Sequence, residues 1–196
     1  PTKALIKSAE VFEYMKHAAE FGLNVENPTA DFTAVIKRSR GVAEQMSKGV
    51  NFLMKKNKID VINGWGKAVK GNKVSVTSSD GKTVEYGATY TILATGGRSR
   101  DLPNLKQDGV KIIGYRQAMT LSKQPKSLVI VGSGAIGCEF AYFYNAMGTK
   151  VTIVEYLDTI VPLEDEEISK ALLRNFKKSG INIMVSSNVE GVEVIN

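Results

Sequence analysis

The stretch from Lys126 to Glu155, KSLVIVGSGAIGCEFAYFYNAMGTKVTIVE, constrains the fold of this chain more than any other. It contains two apolar runs, 128–131 and 151–154, separated by a helical segment that starts in a glycine-rich turn. The first run is apolar throughout, as a strand buried on both faces requires. A helix over Glu164–Ser179 and a strand over Ile181–Val185 continue the alternation. The pattern predicts an α/β fold with a parallel sheet and right-handed crossovers.

The glycine-rich turn has the spacing G-x-G-x-x-G. Gly132 permits a tight turn, Gly134 removes a side chain where a pyrophosphate would touch the backbone, and Gly137 lets the helix lie close to the sheet. The first helical residues, Ala135 and Ile136, offer free amides at the positive end of the helix dipole. These features together favour a dinucleotide site over a turn whose glycines only help packing.

Glu155 ends the second strand, 18 residues after Gly137. A carboxylate at this position can accept hydrogen bonds from both ribose hydroxyls of an adenosine, and it repels a 2′-phosphate. No arginine in the following YLDTIVP is available to bind such a phosphate. NAD is therefore predicted in preference to NADP.

The first half of the chain changes from a helical to a strand period. Two helices are expected first, one over Pro1–Leu23 and one that begins at the cap Asp31 and carries an apolar stripe as far as Leu53. A hairpin turn at Ser79–Lys82 then predicts an antiparallel meander over about 59–87. Strands are expected at 59–69, 73–79 and 83–95, and a further one starts near the end, in VEGVEVIN.

Composition excludes several classes of function. The net charge is +6, but the lysines are scattered and not interleaved with aromatic residues, so no nucleic-acid partner is expected. No apolar run is long enough to span a membrane. Because the sequence has a single cysteine, an internal disulfide and a thiolate metal cluster are excluded, and a reducing compartment is favoured. That residue, Cys138, is expected to be buried.

Two polar features have ordinary structural explanations. His17, the only histidine, is expected at the surface of the first helix. The acidic run Glu164–Glu167 is expected to start a helix, because the positive end of the helix dipole stabilises carboxylates there. No metal site is therefore predicted from this run. The chain does not begin with Met, which suggests a fragment or a processed end.

Four segments together resemble the dihydrolipoamide dehydrogenase family of flavoprotein disulfide oxidoreductases. The first is the glycine motif, and the second is TYTILATGG at 89–97, similar to the strand that closes the family's FAD domain. PTKALIKSAE resembles the segment that follows the family's redox disulfide, and INGWGKAVKGNKVSV resembles part of its meander. The resemblance implies two incomplete Rossmann-like domains, an FAD domain over 1–113 and an NAD domain over 114–196.

The resemblance also implies individual roles. Lys3 matches a lysine near the flavin N5 that pairs with a glutamate, here Glu139, and Gly66 matches a meander residue at the adenine end of FAD. A cation there would stabilise reduced, anionic flavin, and pairing in a dry site would keep both Lys3 and Glu139 charged. The implied cofactor-binding residues are Lys3, Gly66, Thr95, Gly96, Gly97, Gly132, Gly134, Ala135, Ile136, Gly137, Glu139 and Glu155.

For the parent protein, the resemblance implies electron transfer from dihydrolipoamide through a redox disulfide and FAD to NAD. It further implies a homodimer that acts on the lipoyl-bearing acyltransferase component of 2-oxoacid dehydrogenase complexes. The bacterial cytoplasm or the mitochondrial matrix is the expected compartment.

The chain also departs from the family pattern. It has no first G-x-G-x-x-G motif, both redox cysteines would precede Pro1, and the catalytic His–Glu pair would lie in a further C-terminal domain. No catalytic residue is therefore expected among these 196 residues, and the chain as given is not expected to catalyse the reaction. Three alternatives stay open: a sister reductase for mercuric ion or glutathione, a soluble transhydrogenase, and a non-catalytic NAD-binding module. Glu155 argues against the members that use NADP.

Overall fold

The structure is a computed structural model that describes residues 1–193. Contacts divide the chain into two compact units, one built from Pro1–Glu44 and the segment from Ser99 onward, the other from Gln45–Arg98. The elements are α1 (Thr2–Lys16), α2 (Phe32–Lys56), β1 (Trp65–Val69), β2 (Lys73–Thr77), β3 (Thr83–Gly87), α3 (Tyr115–Ala118), β4 (Ser127–Val131), α4 (Ala135–Ala146), β5 (Lys150–Val154), α5 (Glu166–Lys178) and β6 (Asn182–Met184).

The smaller unit contains the antiparallel meander β1-β2-β3. Val69 pairs with Lys73 at one end of the first hairpin, and Thr77 pairs with Thr83 in the second. The second turn closes where the Ser78 amide donates to the Lys82 carbonyl at 2.9 Å. The predicted meander is confirmed, although it begins at Trp65 rather than at residue 59.

The larger unit contains the parallel sheet β4-β5-β6. The three strands of this sheet and the helices α4 and α5 that connect them lie within two residues of the predicted bounds. The predicted α/β class is therefore confirmed. The expectation that β4 is buried on both faces is wrong for the described residues. Leu128 and Ile130 pack against the core, whereas Val129 is 63% exposed. Side chains alternate between the faces of a strand, and no element within residues 1–193 covers the second face of β4.

An aromatic core joins α1, the start of α2 and α4. Leu5 and Ala9 of α1 are fully buried, as are Phe143 and Tyr144 of α4. The rings of Phe143 and Tyr144 meet edge-on with centroids 5.0 Å apart, and Phe32 lies 6.1 Å from each. Burial of side chains of this size stabilises a fold by roughly 1.5–3 kcal/mol each, so this core fixes α1 against the helix that follows the glycine turn.

The two N-terminal helices differ in part from their predictions. α1 ends at Lys16, and a 3₁₀ turn over Ala18–Phe21 precedes Gly22, which has a φ of 72°. The predicted cap of α2 is confirmed, because Asp31 Oδ1 accepts from the Ala34 amide at 3.0 Å. The predicted stripe is buried only at its start, where Phe32 and Ile36 lie in the core. Farther along, the stripe is exposed at Met46, Val50 and Leu53.

The strand predicted to close the FAD domain is not formed. Residues 89–97 make no ladder, and Ile92 is 91% exposed. A strand needs backbone partners, and no strand within the described part of the chain pairs with this segment. The strand predicted in VEGVEVIN is likewise absent at 189–193, and residues 194–196 lie outside the described residues. Over the described range, no helix has both the length and the apolarity to cross a membrane.

Candidate functional site

The glycine motif forms the turn between β4 and α4, and its three glycines meet three different requirements. Gly132 has a φ of +99° and donates its amide to the Val154 carbonyl at 2.9 Å. A Cβ on Gly137 would lie 2.2 Å from the Gly132 carbonyl oxygen, so only glycine permits this approach of helix and turn. A Cβ on Gly134 would meet no atom within 4 Å. Packing therefore explains Gly137 and does not explain Gly134.

The open space at Gly134 adjoins the N-terminus of α4. Gly134 caps this helix with extended backbone, and Ala135 and Ile136 form its first turn. Amides of a first helical turn have no partner within the helix and attract anions. The Ile136 side chain is exposed rather than packed over these amides. The turn thus fits the pyrophosphate of a dinucleotide.

Glu155 follows β5 directly and is only 8% exposed. Its Oε2 accepts from the Ser133 amide at 2.8 Å and from the Ser133 hydroxyl at 2.7 Å, and its Oε1 accepts from the Leu157 amide at 2.9 Å. Burial alone would raise the pKa of this carboxyl, but the hydrogen bonds from Leu157, from Ser133 and from the Tyr156 backbone lower the pKa below its ordinary value. Glu155 is therefore an ionised carboxylate, held at the edge of the glycine turn.

Ser133, the residue between the first two glycines, is a site residue that the sequence reasoning missed. It is fully buried, and its carbonyl accepts from the Val161 amide at 3.0 Å and from the Cys138 thiol at 3.2 Å. Val161 has a φ of 42°, which is strained for a β-branched residue. The position of Ser133 in the turn, beside the strand that ends in Glu155, could have indicated its role. A serine as such gives no indication of this role.

Cys138 is buried in α4, as predicted. Burial, with a contribution from the charge of Glu155, raises the pKa of its thiol to about 11. A thiol with this pKa is protonated at neutral pH, whereas a reactive cysteine needs a thiolate. Cys138 is therefore a packing residue and not a nucleophile.

Lys3 and Glu139 form an ion pair between α1 and α4, as the resemblance implies. The Lys3 side chain is 85% exposed and that of Glu139 is 27% exposed. Nothing among the described residues covers Lys3, so a dry environment for the pair stays a prediction for the flavin site. An exposed pair contributes only about 0–1 kcal/mol. Its significance is positional, since Glu139 lies two residues beyond Gly137.

The other residues implied for FAD lie apart from the glycine turn along the chain, in the smaller unit. Gly66 lies in β1 opposite Val76, and a Cβ there would make an ordinary 3.7 Å contact, so packing does not require glycine. Thr95, Gly96 and Gly97 are exposed in a segment without secondary structure. Their roles at FAD stay predictions.

The remaining polar candidates have the structural roles predicted for them. His17 is exposed and lies 3.1 Å from a Glu20 carboxylate oxygen. Asp165 caps α5 by accepting from the Glu167 amide at 2.8 Å, which confirms that the acidic run starts a helix. Across residues 1–193, no group of His, Cys, Asp and Glu side chains is arranged to hold a metal ion.

Comparison with known proteins gives relatives over nearly the whole chain. A dihydrolipoyl dehydrogenase of Chlorobaculum tepidum is 45% identical over 99% of this chain, and one of Rhizobium etli is 43% identical over 98%. The crystal structure of LpdA from Mycobacterium tuberculosis superposes with a TM-score of 0.88 at 26% identity, over 97% of this chain and 42% of that one.

The chain spans 41% of the Chlorobaculum relative and 43% of the Rhizobium relative. Residues 1–195 match the family described as pyridine nucleotide-disulphide oxidoreductase. The glycine turn, the carboxylate at the end of β5 and the Lys3–Glu139 pair all lie within that match. The chain belongs to the pyridine nucleotide-disulphide oxidoreductase family.

Proposed function

We propose that the chain is part of a flavoprotein that oxidises dihydrolipoamide, with electrons passing through a redox disulfide and FAD to NAD. Membership of the family implies FAD and NAD as cofactors. The choice of dihydrolipoamide over the substrates of sister reductases is supported by the curated relatives at 41–45% identity, which are named dihydrolipoyl dehydrogenases.

The Lys3–Glu139 ion pair is the observation that carries the proposal. Glu139 belongs to the helix whose N-terminus adjoins the glycine turn, and Lys3 belongs to the segment implied at the flavin. One ion pair thus links the segment implied at the flavin to the helix that begins at the proposed NAD turn. A non-catalytic NAD-binding module would need the glycine turn but would not need this link.

Each proposed residue has a distinct task. The amides of Ala135 and Ile136 bind the pyrophosphate of NAD, and Glu155 orients the adenosine ribose and disfavours a 2′-phosphate. The Lys3 ammonium places positive charge beside the flavin site, and Glu139 holds that ammonium in position. Bound FAD and NAD supply the electron-transfer chemistry itself.

The test is an assay of the full-length protein for flavin content and for NAD reduction by dihydrolipoamide. Lys3→Met is expected to lower turnover at least about tenfold, because a positioned charge at the reacting centre is lost. Lys7→Met is the matched control, since Lys7 lies one turn along α1 and pairs with Glu10 at 2.9 Å. It is expected to behave as the wild type.

Two results would contradict the proposal, the first its activity and the second the role given to the ion pair. A full-length protein that binds NAD but purifies without flavin would support the non-catalytic module instead. Equal turnover of Lys3→Met and Lys7→Met would show that the ion pair has no part in the chemistry.

We further propose that the protein acts as a homodimer on the lipoyl-bearing acyltransferase component of a 2-oxoacid dehydrogenase complex. Such complexes act in the bacterial cytoplasm or the mitochondrial matrix, so we propose one of these compartments. The bacterial dihydrolipoyl dehydrogenases among the relatives support the former. Co-purification of the full-length protein with lipoylated acyltransferase would test this partner directly.

A further inference from the structure

Ser133, between two motif glycines, makes hydrogen bonds through its amide, its hydroxyl and its carbonyl. Its amide and hydroxyl both donate to Glu155 Oε2, at 2.8 and 2.7 Å, and its side chain is fully buried. The G-x-G-x-x-G pattern leaves the residue type at this position open. A backbone amide could come from almost any residue here, but the hydroxyl donor requires a side chain such as serine.

The two donors occupy Oε2 of Glu155 completely. A carboxylate oxygen has two lone pairs, and Oε2 accepts two hydrogen bonds from Ser133. Oε1 accepts one such bond, from the Leu157 amide at 2.9 Å, and the Tyr156 backbone adds the weakest of the contributions to the carboxylate. The carboxylate is thus asymmetric, with Oε2 committed to the protein and Oε1 still able to bind a ligand.

We propose that Ser133 is a positioning residue for NAD, because its hydroxyl fixes the Glu155 carboxylate so that Oε1 alone accepts an adenosine ribose hydroxyl. This inference rests on the proposed NAD site. It changes the expectation from the sequence, in which Glu155 accepts from both ribose hydroxyls. It also implies that Ser133 affects the affinity for NAD without touching the nucleotide.

The hydroxyl of Ser133 is also one of the donors that lower the pKa of Glu155. Donors to a carboxylate favour its charged form, so loss of this donor raises the pKa of Glu155. Cys138 on α4 is a titratable group whose pKa is also affected by the charge of Glu155, and its thiol stays protonated below a pKa of about 11. Of these two groups, acidification therefore protonates only Glu155.

The test is the binding of ADP-ribose to the purified full-length protein by titration calorimetry. ADP-ribose contains the ribose and the pyrophosphate but has no nicotinamide, so it cannot exchange electrons with a flavin. Ser133→Ala is expected to bind about tenfold more weakly, as for loss of one hydrogen bond to a charged group. Ser133→Gly serves as a second variant without the hydroxyl, should the first fold poorly.

Ser39→Ala is the matched control. Ser39 is also fully buried, but its hydroxyl donates to the Ile36 carbonyl within α2 at 2.8 Å. The Ser39→Ala variant removes a buried hydroxyl from the larger unit without removing a hydrogen bond to Glu155. Its affinity for ADP-ribose is expected to equal that of the wild type.

Two further measurements separate positioning from a general structural effect. In a Glu155→Gln background, Ser133→Ala is expected to cause little additional loss, because the two residues act through one interaction. The affinity of Ser133→Ala is also expected to fall on acidification at a higher pH than that of the wild type. A general structural effect would lower affinity by the same factor at every pH.

The outcomes distinguish the role of Ser133 from the existence of the NAD site. If the wild type binds ADP-ribose and Ser133→Ala binds equally well, the role of Ser133 is overturned while the NAD site stands. Fully additive losses with Glu155→Gln would also overturn it. If the wild type does not bind ADP-ribose, the proposed NAD site is wrong, and the inference about Ser133 falls with it.

Discussion

Replacing Gly137 by alanine tests the packing of the glycine turn. The new Cβ would lie 2.2 Å from the Gly132 carbonyl oxygen, whereas ordinary contact begins at 3.4 Å, so helix or turn must retreat by about 1.2 Å. The obstacle is backbone and cannot move aside as a flexible side chain would. Overpacking of this kind costs about 1–3 kcal/mol, and we expect a value near 3.

Urea unfolding measures this loss. With a slope of about 2 kcal/mol per molar urea, the midpoint of Gly137→Ala is expected to fall by about 1.5 M. Near-UV circular dichroism is a suitable probe, because Tyr144 is buried in the larger unit, whereas the only tryptophan, Trp65, belongs to the smaller unit.

Gly134→Ala is the matched control for Gly137→Ala. Its Cβ meets no atom within 4 Å and its φ is −64°, so alanine fits without strain. Its urea midpoint is expected to stay close to the wild type, while its affinity for ADP-ribose falls because the methyl group occupies the space of the pyrophosphate. A midpoint for Gly137→Ala equal to that of Gly134→Ala would refute the packing argument.

Three other variants or reagents test separate features. Gly41→Ala is expected to raise stability by about 0.5–1 kcal/mol, because a Cβ at this position in α2 meets nothing within 4 Å; an unchanged urea midpoint would contradict this. Cys138 is expected to react with a thiol reagent far more slowly in the native protein than in urea, since burial raises its pKa to about 11; equal rates would place it at the surface. Glu155 has a folded pKa below 4.5, so it stabilises the fold above about pH 4.5 and that contribution is lost as the pH falls through the folded value. The stability difference between wild type and Glu155→Gln, measured by urea unfolding, is therefore expected to shrink on acidification, and a constant difference would contradict it.

The C-terminal sheet was predictable because its signals are local. Apolar runs, a glycine turn and a helical period fix β4, α4 and β5 within a residue or two of their observed bounds. The Asp31 cap was predictable for the same reason, since a cap bonds an amide three residues away.

Other features depend on partners that a sequence pattern does not reveal. The run at 89–97 has strand composition but no ladder among the described residues, and the apolar stripe of α2 is exposed beyond its first turns. Ser133 and Val161 were missed because their importance comes from hydrogen bonds and a backbone angle. Both arise only when β5 and its following loop meet the glycine turn.

Equilibrium binding of oxidised NAD and NADP to the full-length protein tests the central claim most directly. The oxidised nucleotides differ only in the 2′-phosphate and leave a flavin unreduced. An ionised Glu155 at the end of β5 predicts that NAD binds more tightly than NADP, and that Glu155→Gln narrows the difference. Tighter binding of NADP to the wild type would contradict the claim that Glu155 faces the adenosine ribose of NAD.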